Sequence, residues 1–190
     1  GIFLKMLIMA SDHMTKLNMT LIKGTCLAND FAMTGAQYTN TVDSLRKAAI
    51  NSHGSLLKFG IDSDAALQAV NAFAKGATGS LGKTKAMLEN MGGGNLTAGM
   101  EKFVTNAKLY GSSLGIETTE VAKMMGDMVS DIGYTGNEAM KNMEGLIKTA
   151  STSGMPVQKF MDVFGQVLPN IDMFTNRIEE LTGTIKLLSK

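Results

Sequence analysis

Tryptophan is absent from this chain, and cysteine occurs once, at Cys26. A lone thiol closes no disulfide within the chain, so no disulfide framework is expected and nothing marks an oxidising compartment. Arginine is nearly as scarce. Arg46 and Arg177 carry the guanidinium groups, lysine is scattered along the chain, and the formal net charge is +1. That balance gives no bulk attraction to nucleic acid and no dedicated phosphate-reading surface, so no specific nucleic-acid recognition is expected. His13, His53 and Cys26 share no metal-ligand spacing, and neither a metal nor another cofactor is expected. No apolar run reaches the roughly 20 residues that a membrane-spanning helix needs. Period-two alternation, the mark of a half-buried strand, is missing throughout. These absences leave an all-α fold.

What is present is a repeated punctuation. Gly115-Ile116-Glu117-Thr118, Gly133-Tyr134-Thr135 and Gly154-Met155-Pro156 each place a glycine, one apolar residue and a helix-start signal about one short helix apart. Each glycine can take the left-handed conformation that ends a helix, and the apolar residue can fold back on the helix just left. Thr118 and Thr135 are expected as hydroxyl N-caps, Thr135 with Glu138 as a capping box, and Pro156 at a first helical position. Between these marks the apolar residues keep helical spacing. Val121, Met124, Met125, Met128 and Ile132 form one face; Ala139, Met140, Met143, Leu146 and Ile147 form the next; Val157, Phe160, Phe164 and Leu168 form the third. Helices of this length are marginal alone in water and must pack on one another. Tandem short helices of this kind predict an irregular bundle or solenoid. The 16 methionines suit soft, re-packable contacts between them.

Four segments are expected. Residues 1–40 hold an apolar helix and a linker, 41–94 an N-terminal helical segment, 95–170 the tandem hairpins, and 171–190 a heptad helix that continues past the chain. The run from Ile2 to Ile22 reads as a helix burying most of its surface in core or partner, with membrane contact as the alternative. Residues 23–40 read as loop or weak helix, and Thr41 to Phe59 as a helix weakened at Gly54. Gly60-Ile61-Asp62-Ser63 repeats the Gly115 signature, with Ser63 in the capping place of Thr118 and Gly76 as the following stop. Gly92-Gly93-Gly94 is the expected internal boundary. The start at Gly1 and the end at Lys190 within a helical pattern are those expected of a piece of a longer protein.

Chemistry finds few candidates. Ala77-Thr78-Gly79-Ser80-Leu81-Gly82-Lys83-Thr84 fits a relaxed phosphate-loop pattern, in which Lys83 would neutralise phosphates and Thr84 would hold magnesium. A phosphate loop needs a buried strand before it, whereas Leu67 to Lys75 reads as an amphipathic helix. A helix–helix turn rich in small residues is the better reading, and a nucleotide-binding enzyme the poorer. Asp127 and Asp131 share a helix face as paired carboxylates would, but a solvated polar edge accounts for them. No nucleophile motif occurs, and no enzymatic activity is expected.

The end of the chain changes period. Ile171, Phe174, Ile178, Leu181, Ile185 and Leu188 alternate steps of three and four, an a/d heptad seam. Two readings stand: an amphipathic helix on the local core, or the start of a coiled coil that assembles copies of the chain.

The run Gly115-Ile116-Glu117-Thr118-Thr119-Glu120-Val121-Ala122, followed by Gly133-Tyr134-Thr135-Gly136-Asn137-Glu138-Ala139, resembles bacteriophage tail tape measure proteins. The Ser151-Thr152-Ser153-Gly154 turn and the helices up to Leu188 extend the likeness, which covers about residues 55–190 and leaves 1–40 unmatched. The resemblance implies a long, mostly helical virion protein, made in the host cytoplasm and housed in the tail-tube lumen. Its length sets that of the tail, and it leaves ahead of the DNA during genome ejection. It also implies a few parallel copies, a dimer or trimer with the trimer favoured. Tail-tube and baseplate hub proteins would be partners, and the host membrane would be met on ejection. It carries over no catalytic residues. A membrane-inserting or secreted helical effector acting through Ile2 to Ile22 is the alternative.

Overall fold

Helix-end chemistry written into the chain sets most of the architecture. The computed structural model describes residues 35–77 and 79–167, together with Leu187. Among the described residues the fold is all-α. Its eight helices are α1 (Gly35–Asn51), α2 (His53–Leu57), α3 (Ser63–Ala77), α4 (Leu81–Met91), α5 (Leu96–Leu114), α6 (Thr118–Ile132), α7 (Gly136–Thr152) and α8 (Val157–Val167). No strand occurs among these residues. The heptad seam and the apolar run from Ile2 to Ile22 lie outside them.

Glycine ends the helices much as expected. Gly60, Gly93, Gly94, Gly115, Gly133 and Gly154 all have positive φ. The end of α2 shows how the turn is held: Gly60 N–H donates to Leu57 O at 2.9 Å and Ile61 N–H to Leu56 O at 3.1 Å. Ile61 and Leu56 are both buried, so the apolar residue after the glycine does fold back on the helix it leaves. Ile116 and Tyr134 take the same place after Gly115 and Gly133, packed against the core.

Several starts and stops differ from expectation, each for a physical reason. Gly76 does not stop α3, which runs on to Ala77; the positive φ falls at Gly79. Asp62, not Ser63, caps α3, its Oδ1 accepting from Ala65 N–H at 2.7 Å. Ser63 instead lies buried and donates its hydroxyl to Ala49 O at 3.3 Å, tying α3 to α1. Thr118 is already helical, and Glu117 holds the N-cap position with no side-chain cap bond. Pro156 stands just before α8, its carbonyl accepting from Phe160 N–H at 3.0 Å. The first helix starts at Gly35, within the stretch read as loop or weak helix, and its break falls at Ser52 rather than Gly54. There the buried Ser52 hydroxyl donates back to Ala48 O at 2.6 Å, a bond that tends to bend a helix. The Thr135–Glu138 capping box forms as expected: Glu138 N–H donates to Thr135 Oγ1 at 3.2 Å, and Thr135 N–H to Glu138 Oε2 at 2.8 Å.

One apolar core runs from Val42 to Phe164 and takes side chains from both sides of Gly92–Gly94. At its centre Phe73 of α3 meets Phe103 of α5, with ring centroids 4.8 Å apart and planes tilted by 56°. Met100, Met125, Met128 and Met143 are fully enclosed. Thioethers fill the gaps where short helices meet at irregular angles. Two crossings are close enough for backbone contact. A Cβ on Gly126 of α6 would sit 2.6 Å from Phe73 O, and one on Gly76 of α3 would sit 2.9 Å from Lys123 O. Across α4 and α5 a Cβ on Gly99 would overlap Leu88 O. Gly92–Gly94 is therefore a tight turn between two helices in close contact, where an internal boundary was expected.

Candidate functional site

Three long-range polar contacts join α5 to α7 in the tandem unit α5–α6–α7. Lys102 Nζ donates to Asn137 Oδ1 at 3.0 Å, Asn106 Nδ2 to Met140 Sδ at 3.5 Å, and the Tyr110 hydroxyl to Glu144 Oε1 at 2.9 Å. The three donors follow one another by single helical turns along α5, and the acceptors run in the same order along α7. The two helices are thus parallel, with α6 returning between them. Burial, then the Glu144 bond and charge, push the Tyr110 hydroxyl well above its ordinary pKa, so the phenol stays a donor. This seam fixes the register of α5 against α7.

The phosphate-loop-like turn joins α3 to α4, helix to helix, where such a loop needs a strand first. The Ser80 hydroxyl caps α4 by accepting from Lys83 N–H at 3.3 Å. Thr84 is buried, and its hydroxyl donates to Ser80 O at 2.7 Å, which turns it into its own helix and away from any metal. The residues fit a capped helix start.

Asp127 and Asp131 differ in burial. Asp131 is exposed, but Asp127 is half-buried, its carboxylate lying over Gly76, where a Cβ would come 3.0 Å from Oδ1. The fully solvated edge expected for the pair is thus correct for Asp131 alone. Burial raises the Asp127 pKa and Asp131 adds to the rise, while Lys123 opposes it. The carboxylate helps fill the α3–α6 crossing, a place the sequence does not mark.

His53 is exposed at the start of α2, and His13 and Cys26 lie outside the described residues. Among the described residues no three His, Cys, Asp or Glu side chains gather as a metal site would require. A notch of about 260 Å³ at the α5–α6 corner is lined by Lys108, Gly111, Ser112, Gly115, Ile116, Glu117 and Thr118. Its polar wall combines one lysine with one carboxylate, so it selects no charge.

The surface feature missed in the sequence is the corner made by α1 and α2. Ser52 N–H donates to Ala48 O and Leu56 N–H to Ser52 O, both at 2.9 Å, so helical register carries across the break. Leu45, Ala49, Ser52 and Leu56 face the core, leaving Lys47, Ile50, Leu57 and Lys58 on the opposite side. Leu57 is 55%, Phe59 41% and Ile50 39% exposed, against near-zero values for most large apolar side chains here. The six seam residues Ile171, Phe174, Ile178, Leu181, Ile185 and Leu188 are not among those described. Compared with known protein families, with curated proteins and with solved structures, the chain matches none.

Proposed function

We propose that this chain is part of a tape measure protein of a bacteriophage tail: a structural virion component that occupies the tube lumen, sets tail length and leaves during genome ejection. The observation that carries the reading is the tandem of short, one-sided helices closed by left-handed glycines. Gly115 at φ 69° and Gly133 at φ 82° end α5 and α6, and the Thr135–Glu138 box opens α7, at the very residues that carry the resemblance. A protein stored in a tube and later passed through it benefits from helices that are marginal alone and from thioether contacts that re-form readily. The role is structural, with no catalytic group assigned. Partners are further copies of the chain through the Ile171–Leu188 seam, together with tail-tube and baseplate hub proteins.

Antibodies raised against this chain test the reading on purified virions. The expected result is a band from a chain many hundreds of residues long in intact particles, lost from tails that have ejected their DNA. Its absence from intact particles would overturn the reading.

A further inference from the structure

We propose that the α1–α2 corner is a docking surface for an anionic lipid bilayer. The helical register that continues through Ser52 aligns Lys47, Ile50, Leu57 and Lys58 along one side of a nearly continuous helix, with Phe59 just beyond it. Leu57, Phe59 and Ile50 are three of the most exposed large apolar side chains of the described residues. They stand on an exposed stretch: between residues 51 and 60 only Ser52 and Leu56 are buried. Separated apolar side chains suit a fluid interface, which deforms around each of them.

Charge chooses the kind of bilayer. From Ser44 to Ile61 the chain carries Arg46, Lys47 and Lys58 and no carboxylate. Of the acids that bracket this stretch, Asp43 pairs with Arg46 at 3.2 Å, and Asp62 lies beyond the turn at Gly60, where it caps α3. Lys47 and Lys58 flank the apolar side chains, an arrangement in which their stems lie along an interface while their ammonium groups reach lipid phosphates. The contact is with the surface, since no described helix is long and apolar enough to cross a membrane. The proposal stands whether or not the chain belongs to a phage tail.

Flotation of the full chain with vesicles rich in phosphatidylserine, at low salt, tests it. The unmodified protein should float with these vesicles, and much less with phosphatidylcholine alone or at high salt. Lys47→Gln with Lys58→Gln should lower the partition coefficient roughly thirtyfold, the worth of two lysines near such a surface. Leu57→Asp with Phe59→Asp should abolish flotation, and Leu7→Asp should leave it unchanged. Lys47, Leu57, Lys58 and Phe59 are all exposed, and unchanged circular dichroism should show that their variants fold. Equal flotation of the corner variants, or no flotation of the parent, overturns the proposal. So does loss on Leu7→Asp alone, which moves the contact to the Ile2–Ile22 run. Capture on a polyglutamate resin without flotation overturns it in favour of an acidic protein partner.

Discussion

Thr135 and Asp127 show how far one side chain can be read from its neighbours in the chain. The Thr135 cap is wholly local, because donor, acceptor and helix start lie within four residues. Thr135→Ala should therefore cost about 1 kcal/mol, read as faster amide exchange in the first turn of α7. Glu120→Gln, on an exposed position, should change little. The N-cap positions at Asp62 and Glu117 were legible only to within one residue; at Asp62-Ser63 adjacent residues offer the backbone similar oxygens. Tertiary contact decides between them: Ser63 is drawn to Ala49 O, and Asp62 is left to cap. Asp127 was not legible, since its burial depends on Gly76, some fifty residues away in the chain. Its native pKa is raised, so the folded state holds that proton more tightly than the unfolded chain does. Stability from this group is therefore greatest at low pH and falls as pH rises from the ordinary carboxylate range through the raised native value. Asp127→Asn should flatten that part of the urea-midpoint profile and leave stability near neutral pH equal or higher. A profile identical to the parent's across this window would mean that the carboxylate is solvated after all.

At the scale of elements, glycine carries two meanings that composition cannot separate. At Gly60, Gly115 and Gly133 it ends a helix, and the apolar residue and cap that follow give this away. At Gly76, Gly99 and Gly126 it lies inside a helix and lets another backbone come close, which no local pattern reports. The expected stop at Gly76 failed for that reason. A paired substitution separates the close-approach use from an idle glycine. Gly126→Ala pushes a Cβ against Phe73 O, a backbone atom 2.6 Å away that yields only if α3 and α6 move apart. A loss of about 1–3 kcal/mol is expected from such overpacking. Gly145 sits exposed within α7 with nothing near its Cβ position. Gly145→Ala should gain about 0.5–1 kcal/mol by restricting the unfolded chain and favouring the helix. Chemical denaturation of both variants reads the sign directly. Destabilisation by Gly145→Ala would mean that this face of α7 is covered by another part of the molecule.

For the whole molecule the question is whether the bundle is complete in one copy. The described helices share one continuous core, and α5 and α7 are joined by polar contacts at successive helical turns, while Ile50, Leu57 and Phe59 stay outside that core. The heptad seam has no such account. Six apolar residues at strict a/d spacing form a stripe narrower than the faces of α6 or α7, which is the pattern of a helix meeting its own kind. Ile171, Ile178 and Ile185 stand at a, and Phe174, Leu181 and Leu188 at d. Ile at a with Leu at d leans towards two strands, bulky Phe174 disturbs that preference, and the tail-tube reading favours three. On the coiled-coil reading, self-association through this segment is the expected state of the free chain, with an order of two or three. Ile178→Asp with Leu181→Asp places two charges in adjacent layers of the seam. The variant should sediment as a monomer, while amide protection across α5 to α7 stays at the parent's level. If the parent itself sediments as a monomer at high micromolar concentration, and the double substitution strips protection from α7 and α8, the seam packs on its own bundle. The assembly reading of the chain end would then fail, while the fold from α1 to α8 would stand unchanged.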